Sequence, residues 1–401
     1  MPRVVVTGLG PVSSIGTGIE EFARGLRAGR SGISEITGFD VSGFPHRRGG
    51  EVHDFAPEAT LRRLTPAEWG RSSQFAAVAA RLAATDGGFD PAGDEPGRAG
   101  AVIGTTSGES VVMEALTEQI VTTGFDGMSP GLLEQLPANR LAHAVSAELG
   151  LTGESLTLAT ACSASNYAIG YAYDLVHSGQ ADVMFAGGAD SVCRWAHAGF
   201  FRLGALTKDA CTPFDRDRSG ILTGEGGAIL MLESLEHARR RGARIYAEVL
   251  GYGLNCDANH PVAPDAASIA DCMRTAQRNA GVKPSEVDYV CAHGTGTPAN
   301  DTVEARAIFE VFGPKPPPVS SIKSMIGHTM GAASGFGAIA AIFAIDRGFL
   351  PPTINWTTPD PAFADLDPVP NTARQARVRV VQNNGFAFGG NNAITLFGAL
   401  A

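Results

Sequence analysis

The stretch SLTLATACSASNYAIGYAYDLVHSGQADVMFAGGAD, residues 155–190, predicts a strand, a helix and a second strand in immediate succession. The first apolar run leads into a helix rich in small residues that starts at Cys162 and ends at Gly179, and residues 182–188 are apolar again. Buried strands joined by a helix are typical of a parallel sheet that is covered by helices on both faces. This stretch therefore predicts an α/β fold.

The same alternation extends through the whole chain. Further buried strands are predicted at residues 3–8, 99–106, 244–253, 287–294, 318–324 and 378–390. Helices are predicted between them, for example at residues 74–85 and 268–281. An opening strand followed by a loop occurs twice, in RVVVTGLGPVSS and in RIYAEVLGYGLN. We interpret this pair as a duplication, which would place an active site where two similar halves meet.

Composition excludes several classes of protein. The 401 residues are 44% hydrophobic and 18% charged, which predicts a folded globular protein. Acidic residues outnumber basic residues by 41 to 31, and no stretch is rich in Lys or Arg, so we expect no nucleic acid partner. The start MPRVVVTGLG lacks the features of a signal peptide, and no window of about 18 apolar residues is apparent. We expect a cytoplasmic protein without membrane contact.

Cys162 is the leading candidate for a reactive group. The six cysteines are scattered without CxxC pairs, so reduced thiols are expected. Cys162 lies where a strand turns into a helix, and there the helix dipole and free N–H groups lower the pKa of a thiol and stabilise an oxyanion. The alternative is that Cys162 is a small buried apolar residue.

A second candidate segment is VDYVCAHGTGTPANDTVEARAIFEVFG, residues 287–313. A strand delivers His293 into a loop, where a histidine can act as an acid, a base or an oxyanion donor. The loop threonines offer hydroxyls to a ligand, or serve as turn and cap residues. Asp301 is predicted to cap the following helix, and Glu304 would complete a capping box. Glu304 therefore has a purely structural alternative.

A third segment, PVSSIKSMIGHTMGAASGFGAIAAIFAID at residues 318–346, places Lys323 and His328 in a loop before a helix of Gly and Ala. Such a helix packs in the interior, so the loop is expected to be buried, and a buried lysine needs an anionic or hydrogen-bonding partner. Lysine is scarce in this chain, at four residues, which favours a function for Lys323. Residues 383–393 predict a Gly-rich turn between two apolar strands, where backbone N–H groups can approach a ligand.

Taken together, these motifs carry a family resemblance. The chain resembles an elongating β-ketoacyl-acyl carrier protein synthase in six segments. Four of them are ATACSAS, AHGTGTPAND, SSIKSMIGH and FAFGGNN, in that order, and the others are RVVVTGLG at the start and PFDRDRSGILTGEGGAILMLE at residues 213–233. The likeness covers nearly the whole chain. It implies the thiolase fold, a five-layered αβαβα arrangement of two related halves. Residues 1–242 would carry the nucleophilic cysteine and residues 243–401 the two histidines.

The resemblance also implies roles for single residues. Cys162 matches the acyl-accepting nucleophile, and His293 and His328 match the histidine pair of the decarboxylating enzymes. Lys323 matches the lysine that orients the histidine site, and Glu304 matches its acidic partner.

The remaining implied roles concern the substrate. Backbone N–H groups of Phe388 and Cys162 would form the oxyanion hole, with Phe388 as an aromatic gate. Residues that match substrate contacts are Thr295, Thr297, Ser107, Phe386 and Gly389. Basic residues that align with the carrier-protein docking patch are Arg62, Arg63, Arg71 and Lys208.

The implied reaction is a decarboxylative condensation. The Cys162 thiolate takes an acyl group from an acyl carrier protein, and malonyl carrier protein then loses CO₂ to give a carbanion that attacks the acyl-enzyme. No metal or organic cofactor is expected, because the substrates are carried on phosphopantetheine and loss of CO₂ drives the reaction. The expected partners are the carrier protein and either a second copy of the chain or a homologous chain-length subunit.

Departures from the family pattern surround the substrate tunnel. Ser107 lies where a bulky residue commonly plugs the acyl pocket, Asn391 lies where Thr is usual, and Gly385 replaces the usual Ser. We therefore weigh a specialised polyketide pathway, such as a polyene pathway, equally against fatty-acid elongation.

Other readings compete with the condensing enzyme. A ketosynthase subunit that is active only beside a chain-length-determining homologue shares the motifs, whereas a silent subunit would lack the cysteine. A Cys-His hydrolase or acyltransferase would leave Lys323 and His328 without a role. A zinc site at Cys291, His293 and His328 lacks an evident fourth ligand. The glycines of residues 7–18 miss the spacing of a dinucleotide-binding turn.

Overall fold

The computed structural model describes residues 1–90 and 96–400. The strands are β1 Val4–Ser13, β2 Gly16–Thr17, β3 Ser34–Glu35, β4 Arg48–Gly50, β5 Ala99–Gly104, β6 Ser155–Leu158, β7 Val183–Asp190, β8 Thr223–Gly224, β9 Gly226–Ser234, β10 Ala247–Cys256, β11 Tyr289–Cys291, β12 Val319–Ser320, β13 Phe349–Leu350, β14 Arg374–Gln375, β15 Val380–Phe386 and β16 Asn391–Gly398. The α-helices are α1 Ile19–Ala28, α2 Arg71–Asp86, α3 Ser110–Thr123, α4 Pro130–Gln135, α5 Arg140–Leu149, α6 Ala164–His177, α7 Arg194–Arg202, α8 Leu235–Arg240, α9 Ala266–Ala280, α10 Pro298–Phe312, α11 Lys323–Ile326 and α12 Ala333–Arg347.

The main sheet is symmetric about its centre. Its strands run in the order β12-β11-β15-β16-β10-β1-β9-β7-β5-β6, and β2 pairs with β1. Outward from the central antiparallel pair of β1 and β10, each side has two antiparallel pairings followed by two parallel pairings. The two sides therefore repeat one topology, as the duplicated opening strand predicts.

Helices complete five layers. The central helices α6 and α12 contact each other and strands of both half-sheets. The outer face of the first half-sheet is covered by α2 and α5, and that of the second by α9 and α10. This is the αβαβα arrangement of the thiolase fold.

Helix α12 bears on the expectation that the protein makes no membrane contact. With the short turn before it, the run Met330–Arg347 is long and apolar enough to cross a membrane by length and composition, but 83% of it is buried inside the protein. Its Gly and Ala residues let it lie between the two half-sheets, and a helix covered on both sides is apolar all round.

The Gly-rich segment after the first strand is also strand rather than loop. Strand β1 continues to Ser13, past the predicted end at residue 8. A Cβ atom on Gly8 would lie 2.1 Å from the carbonyl oxygen of Ala83, and one on Gly10 would lie 1.8 Å from that of Ala79. These glycines let helix α2 approach the strand directly, so close packing accounts for them.

Two matching turns lead into the central helices. Each is a single turn of 3₁₀ helix, Ala161–Ser163 before α6 and Met330–Ala332 before α12, and we call them the elbow turns. Each begins with a residue in the left-handed region, at φ 49° for Ala161 and 51° for Met330. Because of the first turn, the α-helix predicted to start at Cys162 starts at residue 164.

Candidate active site

Cys162 lies in the first elbow turn and is 6% exposed. Burial raises the pKa of its thiol to about 11, although the Lys323 ammonium and the backbone N–H groups of Phe388 and Cys162 act in the opposite direction. The expectation of a lowered thiol pKa is therefore wrong for this structure, because desolvation outweighs the helix terminus. The same two N–H groups are the donors implied for an oxyanion hole.

Two histidine rings face each other beside this turn. The ring centroids of His293 and His328 are 5.5 Å apart, in an edge-on arrangement, and Phe386 packs against His293 at the same distance. Burial and the nearby Lys323 charge hold the pKa of both imidazoles well below the ordinary value. Both rings are therefore neutral at physiological pH.

The protonation of His328 follows from its neighbour. The Met330 N–H donates to Nδ1 of His328 at 3.1 Å. A neutral imidazole that accepts at Nδ1 carries its proton at Nε2, so His328 presents a hydrogen-bond donor on that side.

Lys323 and Glu304 hold the backbone of His293 from opposite sides. Lys323 Nζ donates to the His293 carbonyl oxygen at 2.5 Å. Glu304 accepts from the His293 N–H at 2.8 Å and from the Gly294 N–H at 2.7 Å. Within residues 1–90 and 96–400, Lys323 and Glu304 form no direct ion pair. The two charges therefore act on each other over a longer distance, and both side chains hold the His293 backbone. Burial lowers the pKa of Lys323, and the Glu304 charge opposes this.

The helix after His293 is capped differently from the prediction. Helix α10 begins at Pro298, and the Thr297 hydroxyl caps it by accepting from the Asn300 N–H at 3.2 Å. The prediction of Asp301 as the cap is wrong, because the proline, preset for the first helical position, starts the helix earlier. Asp301 instead accepts from the Phe214 and Gly296 N–H groups.

Two cavities meet at the thiol. The first, which we call the histidine cavity, has among its lining residues Cys162, Phe200, Ile221, His260, His293, Thr295, Thr297, His328, Phe386 and Phe388. The second, which we call the α7 cavity, has among its lining residues Thr106, Ser107, Ala161, Cys162, Asp190, Cys193, Trp195, Phe200, Leu203, Met330 and Phe388. Cys162, Phe200 and Phe388 line both.

The gate residue implied by the resemblance lies at this junction. Phe388 is 40% exposed, and its ring centroid is 5.8 Å from that of Phe200 on helix α7. Gly389 is not among the lining residues, but its φ of 86° requires glycine and its N–H donates to the Pro261 carbonyl oxygen at 2.7 Å. The loop around Pro261 lines the histidine cavity and had no signal in the sequence analysis.

Asp190 is a site residue that the sequence analysis missed. Its buried carboxylate accepts from Thr105 Oγ1, from the N–H groups of Thr106 and Ser107, and from the Gly331 N–H in the second elbow turn. Burial raises its pKa to about 6. The signal was a carboxylate at the last position of the apolar, glycine-containing strand β7.

The predicted docking residues divide into two kinds. Arg62, Arg63 and Lys208 are exposed. Arg71 is half-buried, and its guanidinium donates to the Glu225 carboxylate at 2.5 and 3.0 Å. Its charge is therefore matched within the chain.

The zinc hypothesis lacks support from the geometry. Cys291 is packed in the central core rather than in the wall of the histidine cavity. The described ranges, which omit residues 91–95 and 401, hold no group of three metal-ligating side chains.

Sequence comparisons find one family over both halves. The family model described as "Beta-ketoacyl synthase, N-terminal domain" matches residues 1–238, and the model described as "Beta-ketoacyl synthase, C-terminal domain" matches residues 246–357. The chain is 38% identical to the 3-oxoacyl-[acyl-carrier-protein] synthase 2 of Coxiella burnetii, with 97% of each chain covered. It is 39% identical to the enzyme of the same name from Synechocystis sp., with 98% of this chain and 97% of the relative covered.

Solved structures of ketosynthases match the whole chain. A structure of the ishigamide ketosynthase/chain length factor matches with a TM-score of 0.98, 50% identity and full coverage of both chains. A type II polyketide synthase acyl-carrier protein in complex with its ketosynthase matches with a TM-score of 0.92, 32% identity and full coverage of both chains.

Proposed function

This chain belongs to the beta-ketoacyl synthase family, and we propose that it condenses an acyl group held on Cys162 with malonyl-acyl carrier protein. The observation that carries the proposal is the pair of cavities that share Cys162 and Phe388. One cavity contains both neutral histidines and suits the malonyl group. The other suits the acyl chain, so the two substrates meet at the thiol.

In the first half-reaction Cys162 becomes acylated. Its thiol loses a proton and the sulfur attacks the thioester carbonyl of the acyl carrier protein, while the N–H groups of Cys162 and Phe388 hold the oxyanion. The carrier thiol leaves with the proton, and the acyl chain occupies the α7 cavity past Ser107. Thr295 and Thr297 line the route for the phosphopantetheine arm.

In the second half-reaction malonyl carrier protein enters the histidine cavity. The bond between the malonyl methylene carbon and its carboxylate breaks, and CO₂ leaves. The electron pair stays on the remaining thioester as an enolate, whose oxygen accepts hydrogen bonds from the imidazoles. His328 is suited to this role because its proton is fixed at Nε2. The carbanion then attacks the acyl-Cys162 carbonyl, the bond from carbon to sulfur breaks, and the Cys162 thiolate takes up a proton from solvent.

The pathway is the finer part of the proposal. The similarity to a ketosynthase/chain length factor and to a type II polyketide synthase ketosynthase favours a specialised polyketide pathway over fatty-acid elongation, and within it we propose a polyene substrate. The same similarity supports a second candidate, a ketosynthase subunit that condenses only as a heterodimer with a chain-length-determining homologue. The cytoplasmic location, the independence from cofactors and the division at residues 242 and 243 stay predictions.

We assign the partner surface to the edge of the first half. The outer strand β6 is exposed at Ser155 and half-buried beyond it, whereas the outer strand β12 of the second half is buried. Exposed apolar side chains cluster on and after helix α3, and these are Met113, Val121, Phe125 and Leu133. An open strand edge and exposed apolar side chains in the same half suit pairing with a second copy or a homologous subunit.

Intact-protein mass spectrometry tests the reaction. The wild type and the Cys162→Ala variant are incubated with acyl carrier protein thioesters and then with malonyl carrier protein. We expect one acyl adduct on the wild type, none on the variant, and a β-keto product two carbons longer. A wild type that hydrolyses the acyl group would instead establish the hydrolase reading.

The substrate and the partner need two further measurements. Competition between polyenoyl and saturated carrier thioesters tests the pathway, and a clear preference for saturated chains would contradict the polyene proposal. Co-expression with a homologous subunit that lacks the cysteine tests the heterodimer. Activity that appears only in the co-purified pair would replace the homodimer.

A further inference from the structure

Three buried amide side chains form a hydrogen-bonded series that ends on Glu304. Gln277 Nε2 on helix α9 donates to Gln382 Oε1 at 2.9 Å, and Gln382 Nε2 donates to Asn384 Oδ1 at 2.9 Å. Asn384 Nδ2 then donates to Glu304 Oε1 at 3.0 Å. None of these four residues is more than 3% exposed. We call Gln277, Gln382 and Asn384 the amide series.

The carboxylate sets the direction of every bond in the series. An ionised Glu304 only accepts, so Asn384 must turn its NH₂ group toward it and its oxygen away. Gln382 must then offer its NH₂ group to that oxygen, and Gln277 in turn meets the oxygen of Gln382. Each amide therefore has one orientation, which holds the next amide in place.

Glu304 connects the amide series to the His293 backbone. Its two oxygens accept from the N–H groups of His293 and Gly294, from Asn384 and, at 3.3 Å, from the Asn300 amide. Burial raises the pKa of Glu304, and the Asn384 amide is the first of the groups that oppose this rise. The amide series lies outside the walls of both cavities, so it contacts no substrate.

We propose that the amide series positions His293 for the decarboxylation step by fixing the Glu304 carboxylate that holds the His293 backbone. This inference rests on the proposed function. Its residues are positioning residues, because they act through Glu304. The competing explanation is that the amides only pair helix α9 with strand β15, among the apolar side chains of the same core.

Two variants separate these explanations. Gln382→Leu removes the middle of the series at similar volume, and Gln277→Leu with Gln382→Leu replaces the first two amides by an apolar pair that keeps the core filled. Two rates are measured for each variant, the decarboxylation of malonyl carrier protein and the acylation of Cys162. We expect decarboxylation to fall by about tenfold or more, because small displacements of a reacting group are costly, and acylation to stay within about twofold of wild type.

Gln74→Leu is the matched control. Gln74 is a half-buried glutamine of helix α2 whose NH₂ group donates to the Pro66 and Trp69 carbonyl oxygens at 2.8 Å, remote from Glu304. It should leave the ratio of the two rates unchanged. Equal loss of both rates in the double variant, or no loss of decarboxylation, would overturn the inference. A wild type that neither becomes acylated nor decarboxylates malonyl carrier protein would instead overturn the proposed function.

Discussion

The two elbow turns have the same backbone and different chemistry. In the first half, Cys162 follows the left-handed residue Ala161, and in the second half Gly331 follows the left-handed residue Met330. The turns meet across the centre of the molecule, where Ser165 Oγ donates to the Gly331 carbonyl oxygen at 2.5 Å. One supersecondary unit, used twice, thus brings two helix N-termini to one point, and a single side chain decides which of them holds the nucleophile.

The second turn positions His328 and Asp190 instead. The Met330 N–H fixes the tautomer of His328, and the Gly331 N–H donates to Asp190 at 2.7 Å. A free backbone N–H therefore acts directly on the reaction in one half and orients a side chain in the other. If the first half carries out the acylation and the second half the decarboxylation, a substitution can slow one of the two half-reactions without the other.

The largest expected effect comes from His328→Ala. Loss of an enolate donor should reduce decarboxylation of malonyl carrier protein by about 10²- to 10³-fold, with acylation of Cys162 within about twofold of wild type. Both rates are followed by intact mass spectrometry. His143→Ala, at an exposed histidine of helix α5, is the control and should change neither. An equal loss of acylation would show that the halves are not separate.

The second test fills the position in the second turn that corresponds to Cys162. A Cβ atom at residue 331 would lie 2.6 Å from the backbone of Thr105. Gly331→Ala therefore forces the second elbow turn away from residues 105–107, which lead into the wall of the α7 cavity and which we call the acyl-cavity loop. We expect the free energy of unfolding to fall by about 1–3 kcal/mol, measured in urea.

Gly43→Ala controls for the loss of glycine itself. No atom lies within 4 Å of a Cβ there, so its effect should stay within about 0.5 kcal/mol. Equal stability of the two variants would mean that the second turn tolerates a side chain, as the first one does.

The elements and residues that lie close together in the chain could be predicted from the sequence. The unit at residues 155–190 predicts β6, α6 and β7, and the segments around His293 and His328 contain both reacting imidazoles. Periodicity missed strand β9, which lies between β1 and β7, because its run of Ala, Ile, Leu and Met is as typical of a buried helix as of a strand.

Contacts between residues that are distant in the chain could not be predicted from the sequence. Asp190 and Gly331 are 141 residues apart, and Asn384 and Glu304 are 80 apart, so only the folded chain shows that they bond. The raised pKa of Cys162 has the same origin, since burial depends on elements from both halves. The motif alone gives the helix terminus and not the desolvation that opposes it.

Asp190→Asn breaks the link between the acyl-cavity loop and the second turn. Each oxygen of Asp190 accepts from two donors, and an amide NH₂ group would face donors on one side. We expect a loss of about 1–3 kcal/mol in the free energy of unfolding near neutral pH, measured by urea titration.

The pH dependence of this loss has a definite sign. The pKa of Asp190 is raised to about 6 by folding, so the folded state binds the extra proton and wild-type stability from this group falls as pH rises from about 4 to 6. The variant lacks this slope. The difference in stability between wild type and variant should therefore be larger by about 1 kcal/mol at pH 5 than at pH 8. A constant difference would contradict the raised pKa.

The smallest effect concerns where the carrier protein docks. We place docking on the first half, where the side chains of Arg62 and Arg63 are exposed and, within the part of the chain that the structure describes, form no ion pair. The variant Arg62→Glu with Arg63→Glu should raise KM for carrier-bound substrate by about three- to tenfold at low salt, with kcat unchanged. The effect should shrink as salt screens the charges.

An equal reversal of charge on the second half provides the control. Arg377 and Arg379 are exposed arginines there, and the variant Arg377→Glu with Arg379→Glu changes the net charge by the same amount. Its KM should stay near the wild-type value, because we place the acidic carrier protein on the first half, away from these charges. If both double variants raise KM equally, the response is to net charge, and docking cannot be assigned to one half. If only the second-half variant raises it, the carrier approaches from the side of the histidines.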